Sequence, residues 1–174
     1  HFPIEINNYF EPFTGGGSVF MELLNRLEQN QITLNGTMHL NDKNHDLINM
    51  YLMIQTQINL LIERLKELND IYFEAPVIKY EPRFNYQIDL NNPIEDYIPL
   101  GKSYVYYYYR DLYNSIKITG DSPLPDKITK ASLLIFINKT CFRGIYREGP
   151  NGYNVPFGNY DKLSIFKEDE LKNM

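Results

Sequence analysis

The sequence has little with which to cross-link itself, enter a membrane or hold a metal. Its one cysteine, Cys141, excludes an internal disulfide and predicts a reducing compartment rather than secretion. No stretch approaches the roughly 18 consecutive apolar residues of a transmembrane helix, so no membrane span and a soluble protein are expected. The opening HFPIEINNYF has neither the basic region nor the apolar run of a signal peptide, and it starts at His1 rather than Met, so the native start is expected upstream. His39 and His45 flank Asp42 across a predicted strand-to-helix turn with no cysteine nearby, so no metal is expected. Two phosphate-loop grammars are also missing. The run GGGSVF lacks the Gly-Lys-Ser/Thr ending, and Phe20 stands where G-x-G-x-x-G needs glycine.

What is present suits one domain with a packed core: 174 residues, 43% of them hydrophobic. The net charge of -5 conceals two halves of opposite sign. Residues 1–100 carry 6 Lys and Arg against 14 Asp and Glu, whereas residues 101–174 carry 11 against 8. Such a split predicts a basic half facing an anionic partner, or two solvated surfaces without an electrostatic task.

Hydrophobic spacing organises the chain. Tyr9 and Phe10 read as the end of a buried strand, Gly15 to Gly17 as a turn, and SVFMELLNRLEQ as a helix with Val19, Phe20, Leu23, Leu24 and Leu27 on one face. TMHLND predicts a second strand ending at Asp42, after a turn at Asn35-Gly36. Asn44 is the predicted N-cap of a long helix whose apolar positions run from Leu47 to Leu68. Strand, helix, strand, helix implies a parallel sheet with crossover helices. Residues 69–102, broken by four prolines, resist assignment. YVYYYYRDLYN predicts a helix whose tyrosines either pack in the core or form a base-stacking platform. Asp126 is the predicted cap of a further helix through KITKASLLIFIN, IYREGPNGYNVPF reads as a hairpin around GPNG, and Glu168 begins a terminal helix.

The chemistry gathers at the glycine turn. A glycine-rich loop between a strand and a helix lets backbone approach a ligand and aims helix N–H groups at negative charge. Asp42, 25 residues beyond Gly17, ends the next predicted strand, where a carboxylate can accept from both hydroxyls of a ribose. Loop and acid together imply a nucleoside ligand; a structural turn with a surface aspartate is the plainer alternative.

Four segments in order, EPFTGGGSVFMEL, LNDKNHDLINMY, YYYYRDLYN and NKTCFRGIYREGPNGYNVPFGNY, resemble signatures of the Dam-type (alpha-ordered, D12) DNA adenine-N6 methyltransferases. The resemblance covers most of residues 9–162. It implies an α/β fold, Rossmann-like and S-adenosylmethionine-dependent, with an inserted, mainly helical target-recognition region carrying a β-hairpin. Residues 1–103 would belong to the cofactor-binding catalytic domain and residues 104–174 to the recognition region. Glu11, Pro12, Phe13, Gly15, Gly17 and Ser18 would shape the S-adenosylmethionine loop, Asp42 would hold its ribose, and apolar side chains would enclose its adenine. Lys139, Phe142, Arg143, Ile145, Arg147 and Pro156 would face double-stranded DNA, with Arg147 reading a guanine edge and Phe142 wedging into the stack as adenine leaves it. Arg143 departs from the asparagine of better-known members, and the loop from Arg147 to Pro156 is one residue shorter, which bears on the GATC target that the resemblance suggests. Cys141 falls in a loop without a neighbouring histidine and is not expected to be catalytic.

The family's catalytic string, Asp/Asn-Pro-Pro-Tyr/Phe, occurs nowhere in the sequence, so no catalytic residue is assigned. The expectation is a fragment of a larger cytoplasmic or virus-encoded enzyme, with a cognate restriction endonuclease as one conceivable partner and the oligomeric state open. A catalytically inactive DNA-binding or partner subunit is the runner-up, and a dinucleotide-dependent oxidoreductase is disfavoured by the loop spacing.

Overall fold

The structure, a computed structural model, describes residues 1–82 and 85–172; the last two residues of the expected recognition region lie outside the described residues. The N-terminal part is a small parallel arrangement. Strand β1 (Glu5–Ile6) pairs with β3 (Thr33–Leu34), and β2 (Tyr9–Glu11) pairs with β4 (Met38–Leu40), both in parallel. Helix α1 (Ser18–Glu28) is the crossover between them. The two strand pairs meet at a close approach: a Cβ on Gly36 would lie 2.2 Å from the main-chain oxygen of Asn7, so only glycine fits. The Asn8 Oδ1 then accepts from the Thr37 N–H at 3.0 Å.

Leu23 of α1 packs with Ile6 and Ile32 into a small core supported by Tyr9, Leu27, Leu34 and Met38. Among the described residues, α1 covers only one sheet face. Phe10, expected to be buried, is 66% exposed on the other face, where it stacks on His39 at 4.6 Å. The strand expected to reach Asp42 stops at Leu40.

Helix α2 (His45–Glu74) begins as its sequence predicts, with the Asn44 Oδ1 accepting from the N–H groups of Asp46 and Leu47 at 3.0 and 3.1 Å. It packs along α4 (Leu124–Thr140), with α3 (Lys102–Ser115) closing the helical body. Asp126, expected as the cap of α4, sits inside its first turn instead. The helix starts after Pro123 and carries Pro125 at its beginning, where a fixed φ and a missing N–H cost nothing.

The tyrosine run is core. Tyr106, Tyr109 and Tyr113 are nearly sealed, and they pack with Tyr72, Phe136 and Ile137. Of the stretch that the sequence leaves unassigned, residues 69–74 complete α2, and the described residues from 75 to 101 carry 3₁₀ turns over Ile94–Asp96 and Ile98–Leu100. Aromatics hold it in place: Tyr86 stacks on Tyr107 at 4.4 Å, and Tyr80 meets Phe157 edge-on at 5.2 Å. Strands β5 (Glu148–Gly149) and β6 (Gly152–Tyr153) form the hairpin around Pro150-Asn151, and a short α5 (Glu168–Lys172) ends the described chain. The division between hydrophobic cores therefore falls before α2, which joins the helical body.

Candidate functional site

The glycine loop is fixed from three sides. Thr14, 4% exposed, donates twice to one acceptor: its N–H and its Oγ1–H both donate to the Asn41 carbonyl, at 2.9 and 3.0 Å. The Gly15 N–H donates to Asp42 Oδ2 at 2.9 Å, and the Asn44 N–H donates to Asp42 Oδ1, also at 2.9 Å. From α2, the Tyr51 hydroxyl donates to the Gly15 carbonyl at 3.2 Å. Asp42 thus joins loop to helix, and the two backbone donors, Asn44 first and then Gly15, hold its carboxyl below the ordinary 3.8.

Two of the three glycines are required by conformation. Gly15 and Gly17 have φ of 51° and 74°, and a Cβ on Gly17 would also lie 2.5 Å from the Tyr51 hydroxyl. Beyond Gly15 and Gly16, a Cβ would meet nothing within 4 Å, so the loop borders open space. Helix α1 starts next to it with no capping side chain and no acidic residue in its first turn. Its amide groups are free to meet an anion.

That open space is a cavity of about 720 Å³. Gly15, Gly16 and Asp42 line it together with apolar side chains of α2 and α4, including Leu47, Ile54 and Leu134. Lys139 and Tyr146 line it too, so the expected DNA-facing segment borders the same cavity as the glycine loop. Of the other residues expected around the cofactor, Glu11 accepts from the Tyr9 hydroxyl at 2.7 Å, Pro12 and Ser18 are exposed, and Phe13 stands 83% exposed.

The expected DNA-facing residues lie on one folded-back segment. The Phe142 N–H donates to the Pro156 carbonyl at 2.8 Å, and the Gly158 N–H donates to the Thr140 carbonyl at 2.9 Å, which brings the two ends of the segment together. Phe142 and Ile145 are each 44% exposed, and Arg143 and Arg147 are exposed beside them. Arg143 has φ of 60°, a left-handed conformation that asparagine tolerates better than arginine. Here the Tyr160 hydroxyl accepts from the Arg143 N–H at 2.7 Å and donates to the Cys141 carbonyl at 3.0 Å.

The tyrosine helix supports this segment from below. Tyr106 donates to the Val155 carbonyl at 2.7 Å, and Asn114 clamps Tyr153 by giving to its carbonyl and taking from its N–H. Gly152, φ 93°, leaves room for that clamp, since a Cβ would lie 2.5 Å from Asn114 Oδ1. Cys141 is buried and its thiol pKa is raised chiefly by desolvation, an inert environment. Among the described residues there is no group of three or more His, Cys, Asp or Glu that could hold a metal ion, and no helix is long and apolar enough to cross a membrane.

A model of the D12 class N6 adenine-specific DNA methyltransferases matches residues 1–174. The chain belongs to this family. It is 32% identical over 170 residues to a Type II methyltransferase, M.MjaIII, of Methanocaldococcus jannaschii, covering 97% of this chain and 47% of that protein. It is 30% identical over 172 residues to a DNA adenine methylase of Haemophilus influenzae, covering 98% and 44%. A DNA adenine methylase of Escherichia coli is 26% identical over 162 residues, 92% of this chain and 42% of that one. The chain thus spans somewhat under half the length of these curated relatives.

Several D12 contacts of this chain escape a reading of the sequence. Tyr51 and Tyr146 occupy positions that look merely apolar, yet each needs a partner for its hydroxyl. Tyr51 finds it in the loop, whereas Tyr146 donates to Glu148, and burial followed by that bond pushes its pKa up to about 12. Lys130 is a third case. It lies 3% exposed within α4, 3.1 Å from Asp46, and donates to the carbonyls of Tyr113 and Ile116.

Proposed function

We propose that the chain supplies the methyl-donor cradle and the DNA-recognition surface of an S-adenosylmethionine-dependent DNA adenine-N6 methyltransferase, with the complete Rossmann-like sheet and the Asp/Asn-Pro-Pro-Tyr/Phe string in the remainder of a longer polypeptide. The observation that carries this reading is the shared cavity, bordered by Gly15, Gly16 and Asp42 and also by Lys139 and Tyr146. Family membership supports it, as does coverage of under half of each relative.

The residues present fit the donor. The uncapped amides of α1 suit the carboxylate of its methionine end, Asp42 retains acceptor capacity for ribose hydroxyls, and the open space beside Gly15 and Gly16 admits the close approach of a ligand. When bound, the group supplies an electrophilic methyl on sulfonium. This chain's part is to bind and orient it; residues 1–103 serve the cofactor and residues 104–174 the DNA. Phe142, exposed at the turn, would wedge into the duplex as adenine swings out, and Arg147 would read a guanine edge within a target of the GATC type. Lys139, Arg143, Ile145 and Pro156 complete that face.

Calorimetry tests the cradle. Asp42→Ala in the complete methyltransferase should weaken S-adenosylmethionine binding about tenfold or more, since a charge-assisted pair of hydrogen bonds is lost. An unchanged affinity would remove the ribose assignment.

A further inference from the structure

Asn154 occupies one edge of the Arg147 guanidinium. Its Oδ1 accepts from Nε at 2.7 Å, and its main-chain oxygen accepts from Nη2 at 3.2 Å. Its own N–H donates to the Arg147 carbonyl at 3.1 Å, so the two residues are tied at backbone and side chain alike. A guanidinium carries five N–H donors in a flat fork. These two bonds consume the Nε/Nη2 side and leave both protons of Nη1 and the second proton of Nη2. The free edge is a planar, two-pronged donor, the shape that a guanine O6/N7 pair accepts.

The hairpin is built to allow this. Gly149, paired with Gly152 across the turn, has no side chain, and a Cβ there would lie 2.6 Å from Asn154 Nδ2. The missing Cβ leaves the space in which the Asn154 amide lies. Arg147 and Asn154 are both exposed, so the hydrophobic core does not hold this arginine in place. An exposed arginine without such a tie would lose many rotamers on meeting a base, and restraining it beforehand reduces that loss.

We infer that Asn154 is a positioning residue for base recognition, which fixes the Arg147 fork with its Nη1/Nη2 edge outward, and that Gly149 is the vacancy that permits it. The inference rests on Arg147 as the base-reading residue proposed above. It assigns specificity to a residue that need not touch the base.

The test is selection of bound duplexes from a randomised library by the full chain, followed by sequencing, with overall affinity read by fluorescence anisotropy. Wild type should select guanine at one position, and Arg147→Ala should abolish that selection. Asn154→Ala should reduce the guanine preference on the order of tenfold while binding to unselected duplex changes little. Asn154→Asp keeps the acceptor oxygen and should keep the preference, while its added charge weakens binding to all sequences alike. Gly149→Ala, which displaces the amide, should reproduce the Asn154→Ala preference. If Arg147→Ala leaves the guanine preference intact, the base-reading role falls and this inference with it. If Arg147→Ala abolishes it but Asn154→Ala leaves it unchanged, or lowers all sequences equally, only the positioning role is overturned.

Discussion

The two parts of the molecule are held together by different physics. The helical body of α2, α3 and α4 buries Tyr72, Tyr106, Tyr109, Tyr113 and Phe136 almost completely, and its core continues into the folded-back segment after α4 through Tyr153, Val155 and Phe157. The strand region has a core of three buried residues, Ile6, Leu23 and Ile32, and leaves Ile4, Phe10 and Phe13 largely exposed. Its glycine loop is fixed by hydrogen bonds to Asp42, Asn41 and Tyr51 rather than by packing. In the proposed function, a loop that admits the methyl donor gains from such light restraint, because it can exchange backbone partners without opening a core. A hairpin that reads a rigid duplex, in the same proposed function, gains from the opposite.

The sharpest way to break this comparison is to delete one buried side chain on each side of it. Phe136, fully buried between Tyr72 and Tyr109, should cost about 3 to 5 kcal/mol when replaced by alanine, seen as a lower denaturation midpoint and loss of the aromatic near-ultraviolet signal. Leu23→Ala removes an equally sealed side chain from the small core, where neighbours can collapse more freely, and should cost about 2 kcal/mol. Hydrogen exchange should show the Leu23 loss confined to the strand region, with the amides of α2 to α4 still protected. Spread of the Leu23 effect through the whole chain would mean one cooperative unit and would sink the distinction.

Inside the helical body, where α2 begins beside the strand region, buried Lys130 of α4 pairs with half-buried Asp46 of α2. Lys130 has 4% side-chain exposure, and its pKa is lowered by desolvation against the opposing pull of Asp46, which also accepts from the Tyr113 hydroxyl at 2.7 Å. Asp46 lies in the first turn of α2, just beyond the cap that adjoins Asp42. Lys130→Met should cost about 2 to 3 kcal/mol, less than a fully sealed pair because the Asp46 side chain keeps 21% exposure. Adding Asp46→Asn to that variant should return part of the loss. Additive losses would show that the pair contributes nothing specific to this junction.

Local signals were legible and distant ones were not. Asn44 announces α2 because an N-cap acts on amides two and three residues away, and GPNG announces its hairpin for a similar reason. The glycine loop and Asp42 could be linked because a strand-turn-helix-strand order forces them together. Phe10 misled because an apolar strand residue is buried only if something covers its face, and among the described residues only α1 covers this sheet. Asp126 misled because a proline start competes with an acidic cap. Lys130 facing Asp46, Tyr51 under Gly15 and Asn154 on Arg147 had no local signature, since each depends on elements brought together by folding.

The smallest expected effect probes the light restraint itself. Asp42 titrates below 3.8 because its carboxylate receives the Asn44 and Gly15 amides. A depressed carboxylate contributes stability that is fully present above the unfolded value and is lost as pH falls through the folded one. The Gly15 and Asn44 amide resonances should therefore shift together on acidification, with a shared midpoint below 3.8, while the amides of α3 hold their positions. Asp42 is half-buried and keeps access to water through the cavity, so the accompanying stability change should be small beside that of Leu23→Ala. A midpoint at or above 3.8, or α3 amides that move in step, would show that the loop is locked to the helical body by something other than this carboxylate.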